Sequence, residues 1–410
     1  MKLLLSAYDC DPVRGSEARL SWNYVTEFAA IGHEIHVLTS ARSAEHIESG
    51  LEELRGQGAK VDATVIDDHP LVRRFPRIGY MGRYMLWQWQ ALDHARRVDA
   101  RFDADIVHHV GWGSLQGGSR LWRLGKPFFF GPVGGGQYAP SAFKEYFGSS
   151  WRKEWLRTMV SVRGVRLLPS TLGPLKHAKM VLAANQETYD LVAAVGAERI
   201  ERIRDVAIPP DLVVDAVEPF PSQEPLSLIW LARYMPRKGL ALALDGLAKV
   251  PADCRVRLTV VGADGSTDEL ASRAARIRER SGDDQRVVFR GSVEWDTALA
   301  ALRGAEVFLF TSLRDTTGVQ LLEAMASGLA VITLDHHGGA EIVGDDVGIR
   351  IPVVDPDTTS TAIAEAIQRL AGDRELVLQL RQNALSKAES FSWPKHAAKI
   401  DALYTSLVVN

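Results

Sequence analysis

The chain has 410 residues, of which 46% are hydrophobic and 24% charged, with a formal net charge of −3. This composition excludes disorder and fibrous repeats, and the length is that of two ordinary domains. The charge is uneven: 27 basic residues stand against 23 acidic ones up to residue 210, and 21 against 28 beyond it.

The two cysteines, Cys10 and Cys254, are too few and too far apart for a disulfide framework or a four-thiolate zinc site, and they fit a reducing compartment. Met1 to Ala7 is shorter than a signal-peptide apolar segment, and Pro127 to Phe143 is uncharged but too rich in glycine and proline for a spanning helix. The expected location is the cytoplasm.

Short apolar runs rich in branched residues alternate with amphipathic stretches, as in βα units on a parallel sheet. Lys2 to Ala7 reads as a buried strand. Glu17 to Ile31 has helical spacing of Leu20, Tyr24, Phe28 and Ile31 and stops at Gly32, and Glu34 to Leu38 reads as the next strand. Further strands are expected at Val61 to Ile66, Ile106 to His109, Phe128 to Phe130 and Met180 to Ala183. Residues 208–225 contain five prolines among polar residues and break both periodicities, which marks a linker. A second series predicts strands at Ser227 to Leu231, Arg257 to Val261, Val287 to Phe289, Val307 to Phe310 and Ala330 to Thr333. The division is therefore 1–207, a linker at 208–225, a second domain at 226–388 and a closing segment at 389–410. Ligands of two such domains would sit at the carboxyl ends of the strands, in a central cleft.

Thr311 to Thr333 reads as strand end, loop and helix, with Thr316, Thr317 and Gly318 at the turn, Asp315 before it and Glu323 inside the helix. A glycine turn before a helix aims free N–H groups and a positive dipole at an anion such as a diphosphate. A carboxylate further along cannot take phosphate but can accept hydrogen bonds from ribose or sugar hydroxyls. The plain alternative for Glu323 is a solvated helix position. Arg233 and Lys238, in ARYMPRKGL after the first strand of the second series, supply two cations for a leaving diphosphate, or else form an ordinary basic loop. In the first half, Arg14, Gly15, Ser16 and Glu17 precede a helix and form a second, weaker anion-receptive turn.

These motifs, together with GPVGGG at Gly131 to Gly136 and the loop-then-GHE pattern at Gly15 to Glu34, resemble family-4 retaining glycosyltransferases of the GT-B fold, an α/β architecture of two Rossmann-like doubly wound domains. The resemblance covers nearly the whole chain and is most specific in the second half. It implies transfer of a sugar from a UDP- or GDP-sugar to a hydroxyl acceptor, in polysaccharide, glycolipid or glycosylated-metabolite synthesis, with no metal or other cofactor. Rival readings are a nucleotide-sugar epimerase or disaccharide phosphorylase on the same fold, and a non-catalytic nucleotide-sugar-binding protein. The resemblance implies donor contacts at Gly15, Arg233, Lys238, Thr317, Gly318, Val319 and Glu323, with Asp315 at the donor hydroxyls. Here Asp315 stands where the family usually has glutamate, one methylene longer. It also implies that the last helix, after Phe391-Ser392-Trp393, crosses back onto the first domain.

Adjacent His108 and His109 stand at a strand end where the resemblance implies a catalytic-region histidine, usually within H-x-H. Alternation sends them to opposite faces, and His109 is the one expected to reach the donor sugar. The glycines Gly134 and Gly135 are expected to let backbone approach a sugar, with Ser16, Gln137 and Tyr138 as acceptor or cleft contacts. No cluster has metal-ligand spacing. Between Arg73 and Lys179, 18 basic residues face six acidic ones. Within that region residues 149–168 read either as an amphipathic helix on an anionic membrane, at its inner face, or as a helix whose tryptophans pack inward. Nucleic acid is not expected, because no recognition motif accompanies the charge.

Overall fold

The computed structural model describes residues 1–408 except Ser16, Ser222 and Asp284. It separates into two compact units: 1–136 with 157–206 and 393 onward, and 137–156 with 207–392.

The first unit is built on a parallel sheet of β1 (Lys2–Ser6), β2 (Glu34–Ser40), β3 (Val61–Ile66), β4 (Ile106–His109), β5 (Phe128–Val133), β6 (Met180–Ala183) and β7 (Ile200–Arg202). The strand order is β3-β2-β1-β4-β5-β6-β7, with Leu3 of β1 opposite both Ile35 and Ile106. Its central strands β1, β4 and β5 are almost wholly buried, which is why β1 and β5 read as apolar runs and the two histidines of β4 lie in the core. An aromatic cluster of Tyr8, Tyr84, Trp87 and Trp112 packs over one face. On the other side the helix Trp393–Val408 contributes Tyr404, which packs edge-on against Phe129 and His108. His396 of that helix bonds the Tyr24 hydroxyl at 3.0 Å, and Asp401 bonds His33 at 2.8 Å.

The second unit repeats the plan with β8 (Leu226–Leu231), β9 (Val256–Val261), β10 (Val287–Phe289), β11 (Val307–Phe310), β12 (Ala330–Leu334) and β13 (Gly348–Ile351). Its order is β10-β9-β8-β11-β12-β13, all parallel, with Val307 of β11 opposite Leu228 of β8. Leu228, Trp230, Leu242, Leu258 and Ile332 lie in its core.

The structure differs from the sequence reading at residues 137–156, expected in the first domain. Phe143, Tyr146 and Phe147 are buried in the core of the second unit, and the Tyr146 hydroxyl donates to Asp245 at 3.0 Å. Burying three aromatic rings decides where this excursion belongs. The single amphipathic helix expected at 149–168 is also broken. An α-helix at Trp151–Arg157 passes into a π-helical turn at Thr158–Arg163 and a 3₁₀ turn at Val165–Leu167, so no continuous apolar stripe forms. Strands β7 and β13 are additional to those expected. Among the described residues, no helix is long and apolar enough to cross a membrane.

Candidate functional site

In a doubly wound sheet, the loops of the two strands on either side of the topological reversal diverge and leave a crevice. In the second unit those strands are β8 and β11, which are followed by the loops 232–239 and 311–318. The two loops are zipped together: Leu313 N–H donates to the Arg237 carbonyl at 2.8 Å, and the Thr311 hydroxyl donates to the Gly239 carbonyl at 2.8 Å. Gly239 is required there, because its φ is +69° and a Cβ would stand 2.0 Å from the Thr311 carbonyl oxygen. The glycine after Lys238 is thus what lets the basic loop lie against the acidic one.

That contact brings the sequence-predicted charges together. Lys238 is buried and its ammonium donates to Asp315 Oδ2, while Arg237 lies 3.7 Å from Asp315 Oδ1. Burial pushes Asp315 up, but Lys238 and Arg237 outweigh it and hold the carboxyl below its ordinary range. Burial pulls Lys238 down, and Asp315 opposes that pull. Arg233, on the exposed part of the same loop, adds to the positive field at both Arg237 and Lys238.

Gly318 caps the helix Val319–Ala326 with φ +81°, and the buried Thr317 precedes it. A Cβ on Gly318 would meet the Phe310 ring at 2.8 Å. Val319 is the first helical residue, so the amides of this turn are among the four that a helix leaves without internal acceptors. Glu323 follows one turn on, buried, with its carboxyl pushed up to about 7 by burial, against a smaller opposing pull from Lys238. A buried carboxyl with a raised pKa beside a lysine is the kind of group found at functional sites.

Three contributors escaped the sequence reading. Arg237 was visible within the same basic motif as Lys238, but only the structure shows that it bonds the Arg314 carbonyl at 3.1 Å. His336 bonds the Ser312 carbonyl at 2.8 Å. Glu154 pairs with Arg314 at 2.8 Å, and no pattern in the sequence signalled it.

Other expected site residues are placed differently. Gln137 is buried in the second unit, where its amide donates to the Thr316 hydroxyl at 2.8 Å, so it braces the loop 311–318 and does not belong to the first unit as expected. Tyr138 beside it is exposed. His109 is fully buried, bonded to Ser6 Oγ at 3.2 Å, and burial pushes it down to about 3. It is a neutral core residue, and the expectation that it opens toward a sugar is not met. His108 is also fully buried, donating from Nε2 to the Gly131 carbonyl at 2.6 Å and accepting from the Tyr404 hydroxyl.

The glycines after β5 approach protein and not open space. Gly134 exchanges backbone bonds with Gly113 and Leu115 at 2.9 Å each, and a Cβ on Gly135 would touch Leu115 at 3.5 Å. Gly15 is exposed, with nothing within 4 Å of its would-be Cβ. Its loop is shaped by Asp11, whose carboxylate accepts from the N–H groups of Val13 and Arg14. Ser16 lies outside the described residues. Among the described residues no three His, Cys, Asp or Glu side chains converge as metal ligands do.

Residues 225–373, which contain this constellation, match the family model for glycosyl transferases group 1. Over 220 residues the chain is 29% identical to a phosphatidyl-myo-inositol mannosyltransferase of Mycobacterium tuberculosis, covering 52% of this chain and 56% of that one. It is 24% identical over 185 residues to a D-inositol 3-phosphate glycosyltransferase of Corynebacterium glutamicum, covering 44% of this chain and 43% of the other. The chain thus spans about half the length of these relatives. Among solved structures, a sucrose-phosphate synthase from Thermosynechococcus elongatus superposes with a TM-score of 0.65 at 19% identity, covering 100% of this chain and 99% of that one. The Anabaena HepE protein in complex with UDP-glucose superposes with a TM-score of 0.61 at 16% identity, covering 99% and 100%. Residues 225–373 are thus similar to the glycosyl transferases group 1 family, and the two Rossmann-like units have the GT-B fold of these solved structures.

Proposed function

We propose that the protein is a glycosyltransferase that moves a sugar from a nucleoside-diphosphate sugar to a hydroxyl acceptor with retention of anomeric configuration, in glycolipid, polysaccharide or glycosylated-metabolite synthesis. The observation that carries this reading is the convergence of Arg233, Lys238, Asp315, Gly318 and Glu323 at the reversal point of the second sheet. Relatives named as inositol-lipid and inositol-phosphate transferases, and a structural neighbour bound to UDP-glucose, support it.

In this reading the diphosphate rests on the amides at Gly318 and Val319 and on Arg233 and Lys238, and Glu323 accepts hydrogen bonds from the ribose. When the bond from C1 to the phosphate oxygen breaks, charge grows on the departing diphosphate, and the two cations stabilise it. The acceptor hydroxyl attacks C1 from the same face and its proton passes to the departing phosphate oxygen. Lys238 begins in an ion pair with Asp315, so donor binding replaces or shares that partner. The positive charge needed comes from side chains, and the reaction is expected to run without a divalent ion.

A melting-temperature screen against nucleotide sugars tests the donor site, since a ligand that binds only the folded state raises apparent stability. The best donor, incubated with candidate acceptors, should give a product whose anomeric proton coupling matches that of the donor, at a rate unchanged by excess chelator. Binding without hydrolysis or transfer would make the protein a nucleotide-sugar-binding protein instead, and no stabilisation by any nucleotide sugar would end the reading.

A further inference from the structure

Outside the donor-side loops, the first unit contains a cavity of about 160 Å³ beside the loop that leaves β4. Met85, Trp89, Trp122, Arg120 and the exposed Arg123 are among the residues that line it. The Arg120 guanidinium lies 3.3 Å from the centre of the Trp89 ring, and Arg123 lies 4.8 Å from that of Trp122. Among the described residues neither arginine has a carboxylate within salt-bridge reach, and Arg120 Nε is buried without an acceptor. A buried donor without an acceptor is unfavourable, and an anion placed there would relieve it.

The cavity is fixed by the fold. Gln88, itself buried, accepts from the Arg120 backbone N–H at 2.9 Å and donates to the Tyr84 hydroxyl at 2.9 Å. Tyr84 in turn donates to the Gly118 carbonyl and stacks on Trp112 at 3.9 Å. Gly118 has φ +56°, and a Cβ there would stand 2.0 Å from the Ser170 carbonyl oxygen, so the loop is locked against the start of the helix Pro169–His177. Trp122 is braced by stacking on His177 at 4.2 Å.

Two guanidinium groups without carboxylate partners, each laid on an indole and set beside a methionine, suit one kind of ligand: an oxyanion attached to an apolar body. We propose that this cavity is a binding site for a phosphate-bearing amphiphile, with the phosphate on Arg120 and Arg123 and the apolar part on Met85, Trp89 and Trp122. Planar guanidinium pairs phosphate through two parallel bonds, and the rings keep it oriented. The site goes beyond the transferase reading and requires nothing from it.

Titration calorimetry with monomeric dihexanoyl phosphatidic acid tests the proposal, alongside dihexanoyl phosphatidylcholine and inorganic phosphate. Saturable binding of the phosphatidic acid is expected, weakened about tenfold or more in Arg120→Gln/Arg123→Gln and by a smaller factor in Arg120→Lys, which keeps charge but loses the fork. An unchanged cooperative melting transition in each variant verifies folding, and the nucleotide-sugar melting shift should be the same as in the parent. Flotation with phosphatidic-acid vesicles then separates the sources: flotation lost in the double variant marks a bilayer lipid, and monomer binding without flotation marks a soluble amphiphile, and both uphold the site. Absent phosphatidic-acid binding, equal binding by parent and double variant, or equal affinity for inorganic phosphate would overturn it.

Discussion

The two sheets share a topology, yet the residues at their reversal points are chemically opposite. At the centre of the first sheet, His108 and His109 are fully buried and neutral, enclosed by aromatic rings and by Tyr404. At the centre of the second, burial acts on ionised groups: Lys238, Arg237 and Asp315 hold one another, and Glu323 sits beside them at the edge of ionisation. Burying charge is costly unless it is paired, so the second centre keeps an unfavourable arrangement that the first avoids. The contrast points to where a charged ligand would be rewarded: in the proposed reading a diphosphate meets the exposed Arg233 and shares Lys238 with Asp315, whereas the first centre holds neutral groups.

The largest effect that would break this contrast is at Lys238. Lys238→Ala leaves Asp315 buried with one cation fewer and removes a charge from the proposed diphosphate site, so initial transfer rates should fall roughly 100-fold. Rates within a few-fold of the parent would remove Lys238 from the site. At Glu323 the sign runs in two directions. Its folded pKa of about 7 lies above its ordinary value of 4.5, so the stability from keeping it neutral is present at low pH and lost as pH rises through 7. Glu323→Gln should therefore leave the ligand-free protein unchanged near pH 4.5 and stabilise it by up to about 3 kcal/mol at pH 8, measured by denaturant titration. Nucleotide binding should move the other way, strengthening in the parent as pH rises through 7 and weakening about tenfold in the variant, since an ionised carboxylate is the better acceptor for ribose hydroxyls. A variant that gained no stability at pH 8 would show that Glu323 does not carry the cost assigned to it. The smallest effect is at Gln137, whose loss removes one neutral bond to Thr316: Gln137→Ala should weaken nucleotide binding by about 0.5–1.5 kcal/mol in calorimetry and leave first-unit ligands unaffected. An effect on the phosphatidic-acid site instead would reassign residues 137–156.

Much of this was legible in the sequence because parallel strands covered on both faces are mostly apolar, and the apolar cores of β1, β8 and β11 announce themselves that way. The loops 232–239 and 311–318 were legible because their chemistry is local: a basic turn, a glycine cap and a carboxylate at fixed spacing. His109 was misjudged for a definite reason. Alternation separates adjacent side chains onto two faces, but in a central strand both faces are buried, so it cannot say which one meets solvent. Residues 137–156 were misassigned because the GPVGGG run at their start was read as a turn beside a ligand and not as a crossing between units, and Phe143, Tyr146 and Phe147 would read as core in either unit. Strand β7 was missed because Ile200–Arg202 is a three-residue edge strand with two exposed charged side chains.

The connectivity of the first unit has a consequence for how the chain is made. Its sheet is assembled from residues 1–136 and 157–206, but the helix bearing His396, Asp401 and Tyr404 begins only at Trp393. Until that helix leaves the ribosome, Tyr24, His33 and His108 face the surroundings without the partners that bury them. The first unit to be translated is thus the last to be sealed, whereas the second has all its residues in hand by Ser392. A chain truncated before Trp393 would carry a finished second sheet and an exposed apolar seam on the first, a ready substrate for a chaperone or protease.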